Sequence, residues 1–158
     1  MNYKVIDNFL DEKYFDSLVS LLKEIPWRYE DDIVYVAENK IFLLYHLFYL
    51  NNTPVSELYV KLIPLLERLG ADHLIRIKAN LYPNTETLHE HPMHKDFEYS
   101  HTSALLSLNT CDGYTKLKDG TKIDSIANRI LFFDAGEKHC STTTTNVYAR
   151  INININYF

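Results

Sequence analysis

The chain has 158 residues, a length that suits one domain with its own hydrophobic core. Hydrophobic residues make up 46% of it and charged residues 23%, proportions that are ordinary for a soluble globular protein and too apolar for a disordered one. The net charge of −5 provides no general attraction to phosphate groups, which argues against a nucleic acid as the partner.

The chain is also expected to be neither membrane-bound nor secreted. The apolar stretch 41–50 is too short to span a bilayer and contains His46. Acidic residues stand near the start, where a secretory signal would have its apolar stretch, and this predicts a cytoplasmic chain. In that reducing compartment Cys111 and Cys140 are expected to be free thiols.

The first part of the chain has mainly helical character. After a strand-like stretch over 3–9, residues 11–25 have the pattern of an amphipathic helix that begins at Asp11 and stops near Pro26. Its apolar stripe consists of Phe15, Leu18, Val19 and Leu22. Residues 33–50 are rich in aromatic and β-branched side chains, and their pattern fits either a strand or a helix.

A second helix is predicted over 53–70, with Thr53 as its cap, Pro54 at its first position and Gly70 just beyond its end. Pro64 interrupts this pattern. Because a proline inside a helix removes a hydrogen bond and clashes with the preceding turn, we expect Pro64 to kink or split the helix.

From about residue 73 the hydrophobic period changes to two. Short segments rich in β-branched or aromatic residues are separated by turn signals, and they cover 73–82, 102–110, 114–118, 128–134 and 147–157. This pattern predicts an antiparallel sandwich or barrel, with the helices covering one outer face of the sheet.

The last of these segments alternates strictly between apolar and polar residues, which therefore lie on opposite faces of a strand. One face carries Val147, Ala149, Ile151, Ile153 and Ile155, and the other carries Tyr148, Arg150, Asn152, Asn154 and Asn156. The polar row faces either solvent or the lumen of a barrel. In a lumen a buried Arg150 would be costly unless an anion paired with it, so that position would indicate a carboxylate ligand or an acidic partner.

Three histidines crowd the stretch 88-LHEHPMHKDF-97. Only His94 has a carboxylate two residues later, at Asp96, and on an extended segment both side chains point the same way. His139 follows the predicted strand 128–134 and could come beside them at the rim of the sheet. Two imidazoles and one carboxylate on one face of an ion leave three positions open, the arrangement of non-haem Fe(II) sites that also hold a cosubstrate and oxygen.

These features follow one another in a recognisable order over about residues 75–158. They are a strand with Asn80 and Tyr82, the triplet His94-Lys95-Asp96, the strand 103–110, the turn 113–115, the strand 128–133, His139, and Arg150 eleven residues later. In this order and spacing the chain resembles the Fe(II)- and 2-oxoglutarate-dependent oxygenases, in particular the small prolyl-4-hydroxylase-like members. It departs from the usual Gly-Gly-any-Thr turn, since it has Asp112, Gly113, Tyr114 and Thr115 there.

The resemblance implies a fold and a set of site residues. The fold would be α+β, mainly β: a double-stranded β-helix, a jelly-roll or cupin-like barrel, with N-terminal helices packed on one sheet. Residues 1–158 would form a single domain, with 1–72 as a helical support region and 73–158 as the barrel that carries the site. The implied iron ligands are His94, Asp96 and His139. The implied 2-oxoglutarate contacts are Arg150 and Tyr82 at the distal carboxylate, with Asn80 and Asn152 as further contacts.

The implied activity is that of a dioxygenase. With Fe(II), 2-oxoglutarate and O2 it would hydroxylate an unactivated C–H bond and release succinate and CO2, with a peptidyl residue such as proline as the favoured substrate. Two alternatives stay open: a non-catalytic cupin or jelly-roll protein that binds a ligand, and an oxygenase acting on a small molecule or on alkylated nucleic acid. The expected partner is a peptide, protein or small molecule, and the chain would be a monomer or a homodimer.

The other histidines of this region receive no ligand role. No carboxylate stands two residues after His89, His91 or His101, so these side chains are expected to be exposed or to support the site from outside the ligand set. Among them, His91 could orient a ligand or line the substrate mouth.

Overall fold

A computed structural model describes residues 2–30 and 41–158. Its elements in chain order are β1 (Tyr3–Ile6), α1 (Glu12–Leu21), β2 (Arg28–Glu30), β3 (Leu43–Leu50), β4 (Thr53–Pro54), a 3-10 helix (Glu57–Leu62), α2 (Ile63–Leu69), β5 (Leu74–Pro83), β6 (Thr102–Ser107), β7 (Tyr114–Leu117), β8 (Lys122–Asp124), β9 (Ile130–Asp134), β10 (His139–Ser141) and β11 (Ala149–Tyr157). No helix in these two ranges is long and apolar enough to cross a membrane.

The strands form two antiparallel sheets. The major sheet has the order β1-β9-β6-β11-β5-β3-β2, with β4 paired to β3, and the minor sheet has the order β10-β7-β8. Isolated bridges between Glu90 and Thr142 and between His94 and His139 attach the segment after β5 to the edge of the minor sheet. The predicted double-stranded β-helix is therefore confirmed. Strands β1 to β3, which precede residue 73, also belong to the major sheet.

Helices cover the apolar face of the major sheet, as predicted. One buried cluster joins side chains from both helices to side chains from the two central strands, namely Leu18 and Leu22, Leu65 and Leu66, Ile77 and Ala79, and Ile153 and Ile155. Burying an aliphatic side chain of this size contributes roughly 1.5–3 kcal/mol. This packing fixes the position of the major sheet and leaves its other face for the site.

Helix α1 forms where the hydrophobic pattern predicted it. Asp11 is its N-cap, because its carboxylate accepts a hydrogen bond from the backbone N–H of Tyr14 at 3.0 Å. The helix is shorter than predicted, since it ends at Leu21. The predicted stripe does face the core: Leu18 and Leu22 are buried, and Phe15 and Val19 pack against them.

The single helix predicted over 53–70 is wrong at its start. Thr53 and Pro54 pair with the end of β3, and Ser56 instead caps the 3-10 helix by accepting a hydrogen bond from Leu58 N–H at 3.2 Å. The helical pattern splits before Pro64, which lies in the first turn of α2, where its missing N–H needs no partner. Gly70 ends α2 with a left-handed φ of 63°, as its position predicted.

The ambiguous segment 33–50 is a strand from Leu43 onwards, and residues 33–40 lie outside the described residues. The choice for the polar row of β11 is also settled: Arg150, Asn152, Asn154 and Asn156 are buried in the lumen between the sheets. The alternative in which this row faces solvent is wrong, except at Tyr148, which precedes β11 and is 99% exposed.

Candidate functional site

His94, Asp96 and His139 meet at the rim of the lumen. One potential ligand atom from each lies within 4.8 Å of the others, and in the part of the chain that the structure describes this is the one such group of three. The backbone N–H of His94 donates to the carbonyl of His139 at 2.9 Å, and the reverse hydrogen bond is equally long. The backbone N–H of Asp96 donates to Ala135 O at 3.1 Å. Main-chain bonds thus bring the three side chains together.

Two backbone carbonyls select the histidine tautomers. His94 Nδ1 lies 3.3 Å from Pro92 O, and His139 Nδ1 lies 3.1 Å from Glu137 O. Because a carbonyl only accepts, each Nδ1 must carry the proton, and each Nε2 is left with a lone pair for a metal ion. Burial lowers the pKa of His139 despite the opposing charge of Asp96, which favours the neutral form that a metal ion requires.

Asp96 is held by three side chains of the major sheet. Its Oδ2 accepts hydrogen bonds from the amides of Asn154 at 2.9 Å and Asn156 at 2.8 Å, and its Oδ1 pairs with Arg76 Nη2 at 2.9 Å. Burial alone would raise the pKa of Asp96, but the charges of Arg76 and His139 and the two amide donors outweigh it and hold the pKa well below its usual range. The carboxylate is therefore ionised, with a lone pair of Oδ1 still available to an ion.

Arg150 is the most deeply buried cation of the site, only 1% exposed. Its guanidinium donates to Thr142 O at 3.3 Å and to Thr115 Oγ1 at 2.9 Å, and it lies over the ring of Tyr82 at 5.6 Å. Among the described residues no carboxylate pairs with it. A buried guanidinium of this kind costs free energy unless an anion joins it.

The turn before β7 makes room for this arginine. A Cβ on Gly113 would lie 2.6 Å from Thr143 O and 2.7 Å from Cδ of Arg150, closer than side-chain carbons approach their neighbours. Gly113 is thus needed because the stem of Arg150 passes directly over it. The chain departs from the usual two-glycine pattern at this turn but keeps the glycine that the arginine requires.

A cavity of about 50 Å³ joins the metal-ligand cluster to the arginine end of the lumen. It is lined by His94, Asp96 and His139, by Asn80, Tyr82, Asn152 and Asn154 of the major sheet, by Thr115, Cys140 and Ser141 of the minor sheet, and by Leu105 and Phe133. Its volume is several times what one water molecule needs.

Four buried polar atoms at this cavity or beside it have no hydrogen-bond partner within the part of the chain that the structure describes. They are Asn80 Oδ1, Asn152 Nδ2, Arg150 Nε and His91 Nε2. Buried polar groups are almost always paired, and each unpaired one costs about 1–3 kcal/mol. A cluster of them therefore indicates a polar ligand.

All seven predicted site residues lie in or beside this one site. The three predicted iron ligands form the cluster, Tyr82, Asn80 and Asn152 line the cavity, and Arg150 lies under its far end. Their roles as ligands remain predictions. Cys111 and Cys140 are free thiols, as predicted.

Of the unassigned histidines, His91 and His101 are buried rather than exposed. The ring of His91 packs at a tilt against that of Tyr82, with centroids 5.2 Å apart, and its Nδ1 is 2.8 Å from Ser141 Oγ. Burial and the charge of Arg150 lower its pKa to about 4, so it is neutral at pH 7. His101 Nε2 lies 3.1 Å from the Asn156 amide that holds Asp96. The ring Nε2 of His89 lies 3.4 Å from Thr87 Oγ1.

The residues that hold Asp96 were not predicted from the sequence. Asn154 and Asn156 belong to the polar row that pointed to Arg150, and Arg76 lies on the same face of β5 as Asn80 and Tyr82. The two-residue period predicts that these residues share a face of their strands with the site residues. It does not reveal which residues of a row reach the metal-ligand cluster.

The sequence matches no family model, and no curated protein matches it. Its structure is similar to those of several enzymes. A prolyl-4-hydroxylase from Pseudomonas putida superposes with a TM-score of 0.68 at 16% identity, over 98% of this chain and 91% of that one. A prolyl hydroxylase from Trichoplax adhaerens, solved with a peptide fragment of the hypoxia-inducible factor oxygen degradation domain, gives 0.66 at 18% identity, over 99% and 83%.

A third similar structure has a different activity. The non-haem α-ketoglutarate-dependent epimerase SnoN from nogalamycin biosynthesis superposes with a TM-score of 0.68 at 15% identity, over 99% of this chain and 77% of that one. At these identities the similarity shows a shared fold, the double-stranded β-helix. What the site does must be argued from its own residues.

Proposed function

We propose that this chain is an Fe(II)- and 2-oxoglutarate-dependent dioxygenase that hydroxylates a C–H bond of a peptide or amino acid, with a proline residue as the first candidate. One observation carries the proposal: a fully buried arginine, which pairs with no carboxylate in the described part of the chain, shares a lumen with a cluster of two histidines and one aspartate. The similarity to the two prolyl hydroxylases supports the choice of proline, and SnoN shows that the fold also serves other substrates.

The residues present fit this cosubstrate. The distal carboxylate of 2-oxoglutarate would accept hydrogen bonds from Arg150 and from the hydroxyl of Tyr82, whose pKa is raised by burial so that it keeps its proton. The unpaired donor on Asn152 lies two residues further along the same face of β11. His94, Asp96 and His139 would hold the metal ion, with a donor set that suits non-haem Fe(II).

When bound, Fe(II) and 2-oxoglutarate supply the oxidising chemistry: O2 and 2-oxoglutarate become succinate and CO2 while a substrate C–H becomes C–OH. The protein's part is to position and protect. Arg150 and Asn154, whose amide holds Asp96, are four residues or about 13 Å apart along β11. A dicarboxylate bound between Arg150 and the metal-ligand cluster would therefore have a fixed direction. The apolar side chains of Leu105 and Phe133 line the cavity and exclude water from it.

The test is anaerobic addition of Fe(II) and 2-oxoglutarate to the purified chain. We expect a weak visible charge-transfer band that is lost in His94→Ala and in His139→Ala. His73→Ala, at an exposed histidine, is the matched control and should keep the band. A band that survives in both ligand variants would refute the ligand assignment, and a wild-type chain without a band would favour the non-catalytic ligand-binding alternative.

Turnover is tested separately by measuring succinate. Proline-containing peptides, free amino acids and single-stranded methylated DNA are added to the Fe(II)- and 2-oxoglutarate-loaded enzyme in air. The proposal expects stimulation by a peptide or amino acid and none by the DNA.

A further inference from the structure

Lys78 is a third cation on the site face of the major sheet, after Arg150 and Arg76, and it lies on the opposite side of Asn80 from Arg150. It lies on the face of β5 that also carries Arg76, Asn80 and Tyr82, and this face lines the site. In the sheet register Lys78 is opposite Asn154, whose amide donates to Asp96. Lys78 is therefore a near neighbour of the metal-ligand cluster.

The ammonium of Lys78 has no hydrogen bond or ion pair to any of the described residues. Its Nζ lies over the ring of Tyr45, 5.4 Å from the ring centroid. Of the nearby charges, Arg76 repels it and is itself paired with Asp96, while Glu30 and Asp96 attract it from a distance. The aromatic ring attracts the charge but accepts none of the three N–H donors in the usual way.

A purely structural role explains this lysine poorly. Its side chain is partly buried, and burial, then the charge of Arg76, lower its pKa to about 8. It is still mostly protonated at pH 7. A neutral side chain of the same length would keep the apolar packing on Tyr45, lose only the attraction of the ring for the charge, and avoid the cost of a desolvated charge. A cation kept at such a cost, beside a reaction centre, is suited to binding an anion.

We propose that Lys78 binds a carboxylate of the substrate, so that this site acts on an anionic molecule of the amino-acid or acidic-peptide class. The inference rests on the proposed function and names its substrate class. The bound anion is not the distal carboxylate of 2-oxoglutarate, because Tyr82 and Arg150 lie four residues, or about 13 Å, further along the sheet.

Matched acid and amide pairs test the proposal with the Fe(II)- and 2-oxoglutarate-loaded enzyme. The panel contains free amino acids with their C-terminal amides, and proline peptides in which a neighbouring glutamate is replaced by glutamine. We expect the acids to stimulate succinate formation at least 10-fold more than their amides. Stimulation by free amino acids identifies an α-carboxylate, and stimulation by the glutamate peptides identifies a side-chain carboxylate.

Variants connect the preference to Lys78. Lys78→Met should lower kcat/KM for the preferred acid at least 10-fold, mainly through KM, and should abolish the preference for acid over amide. Lys78→Arg should keep most of the preference, and Lys13→Met, at an exposed lysine of α1, should behave like the wild type.

The charge-transfer band distinguishes the two possible failures. If the wild-type chain lacks the band, the proposed function fails and this inference fails with it. If both the wild-type chain and Lys78→Met show the band, the proposed function stands and the inference about Lys78 is tested alone. It is overturned if acids and amides stimulate succinate formation equally, if no acid stimulates it, or if Lys78→Met keeps the wild-type kcat/KM for acids.

Discussion

Arg150 and Lys78 lie on adjacent central strands of the major sheet, and neither forms an ion pair with a carboxylate among residues 2–30 and 41–158. Most buried charges in proteins are paired, because an unpaired one forfeits its hydration for little return. Arg150 is compensated in part by Thr115 and Thr142, and Lys78 by the ring of Tyr45. Such residues reduce stability in the absence of ligand, and this gives a test that needs no substrate.

Lys78→Met is expected to stabilise the protein at pH 7 by about 1–3 kcal/mol, since the pKa of Lys78 falls from 10.5 unfolded to about 8 folded. Below pH 8 both states are protonated and the folded state carries the whole cost of the charge. Between pH 8 and 10.5 the folded state releases its proton first, so the advantage of the variant should shrink as pH rises. Urea unfolding of wild type, Lys78→Met and Lys13→Met at neutral and alkaline pH measures this. A less stable Lys78→Met protein at pH 7 would contradict it.

Gly113→Ala is expected to weaken 2-oxoglutarate binding without removing the metal. The added methyl would lie 2.6 Å from the backbone carbonyl of Thr143 and 2.7 Å from Cδ of Arg150, so both the neighbouring backbone and the arginine stem must move from their present positions. A displacement of an ångström in a positioning group commonly costs on the order of 100-fold. Titrating the charge-transfer band with 2-oxoglutarate should show a Kd raised at least 10-fold, while the metal content stays at the wild-type level. An unchanged Kd would show that Arg150 does not depend on this glycine.

Among the elements, strand β11 supplies residues to both parts of the proposed site, the cosubstrate pocket and the metal-ligand cluster, from different positions along its length. Its residues at 150 and 152 face Tyr82 and Asn80, and its residues at 154 and 156 hold Asp96. One alternating row therefore serves two ligands at different distances along the strand. Substitutions of the same type at two points of this row should have separable effects.

Asn156→Ala should lower the affinity for Fe(II) about 10- to 100-fold, the usual effect of removing a hydrogen bond that orients a metal ligand. Asn152→Ala, which removes an amide facing the cavity, should instead raise the Kd of 2-oxoglutarate and leave metal affinity near the wild-type value. Anaerobic metal titration and band titration of the two variants provide the comparison. Equal effects of both variants on the metal would contradict the division by register.

These elements could be predicted from the sequence only where their residues follow a pattern that has a physical cause. Each of the five segments predicted from the period of two contains a strand, because that period follows from the alternation of side chains between the two faces of a sheet. Strands β8 and β10, of three residues each, are too short to show this period and were not predicted. The helix start predicted at Thr53 and Pro54 was wrong, because a polar residue before a proline fits an edge strand as well as a helix start. The burial of His91 could not be predicted, because it depends on contacts with Tyr82 and Ser141, the latter 50 residues away.

For the molecule as a whole, metal and cosubstrate should stabilise the fold. A ligand that binds only the folded state at 100 times its Kd adds about 2.7 kcal/mol, and in a protein of this size each kcal/mol raises Tm by roughly 2–4 °C. Thermal unfolding with Mn(II) and 2-oxoglutarate should therefore give a Tm higher by about 5 °C or more, and EDTA should reverse the rise. In His94→Ala, the part of the Tm increase that depends on Mn(II) should be lost. A Tm that changes with neither Mn(II) nor 2-oxoglutarate would contradict the proposed site.

The place of β11 in the major sheet also bears on how the protein is made. This strand is the last of the fold to leave the ribosome, yet it lies at the centre of the sheet, between β5 and β6. Until it arrives, β5 and β6 lack their common neighbour, and neither Arg150 nor the asparagines that hold Asp96 are present. Until β11 has been added, the nascent chain therefore has two open strand edges in its major sheet, which chaperones are suited to shield.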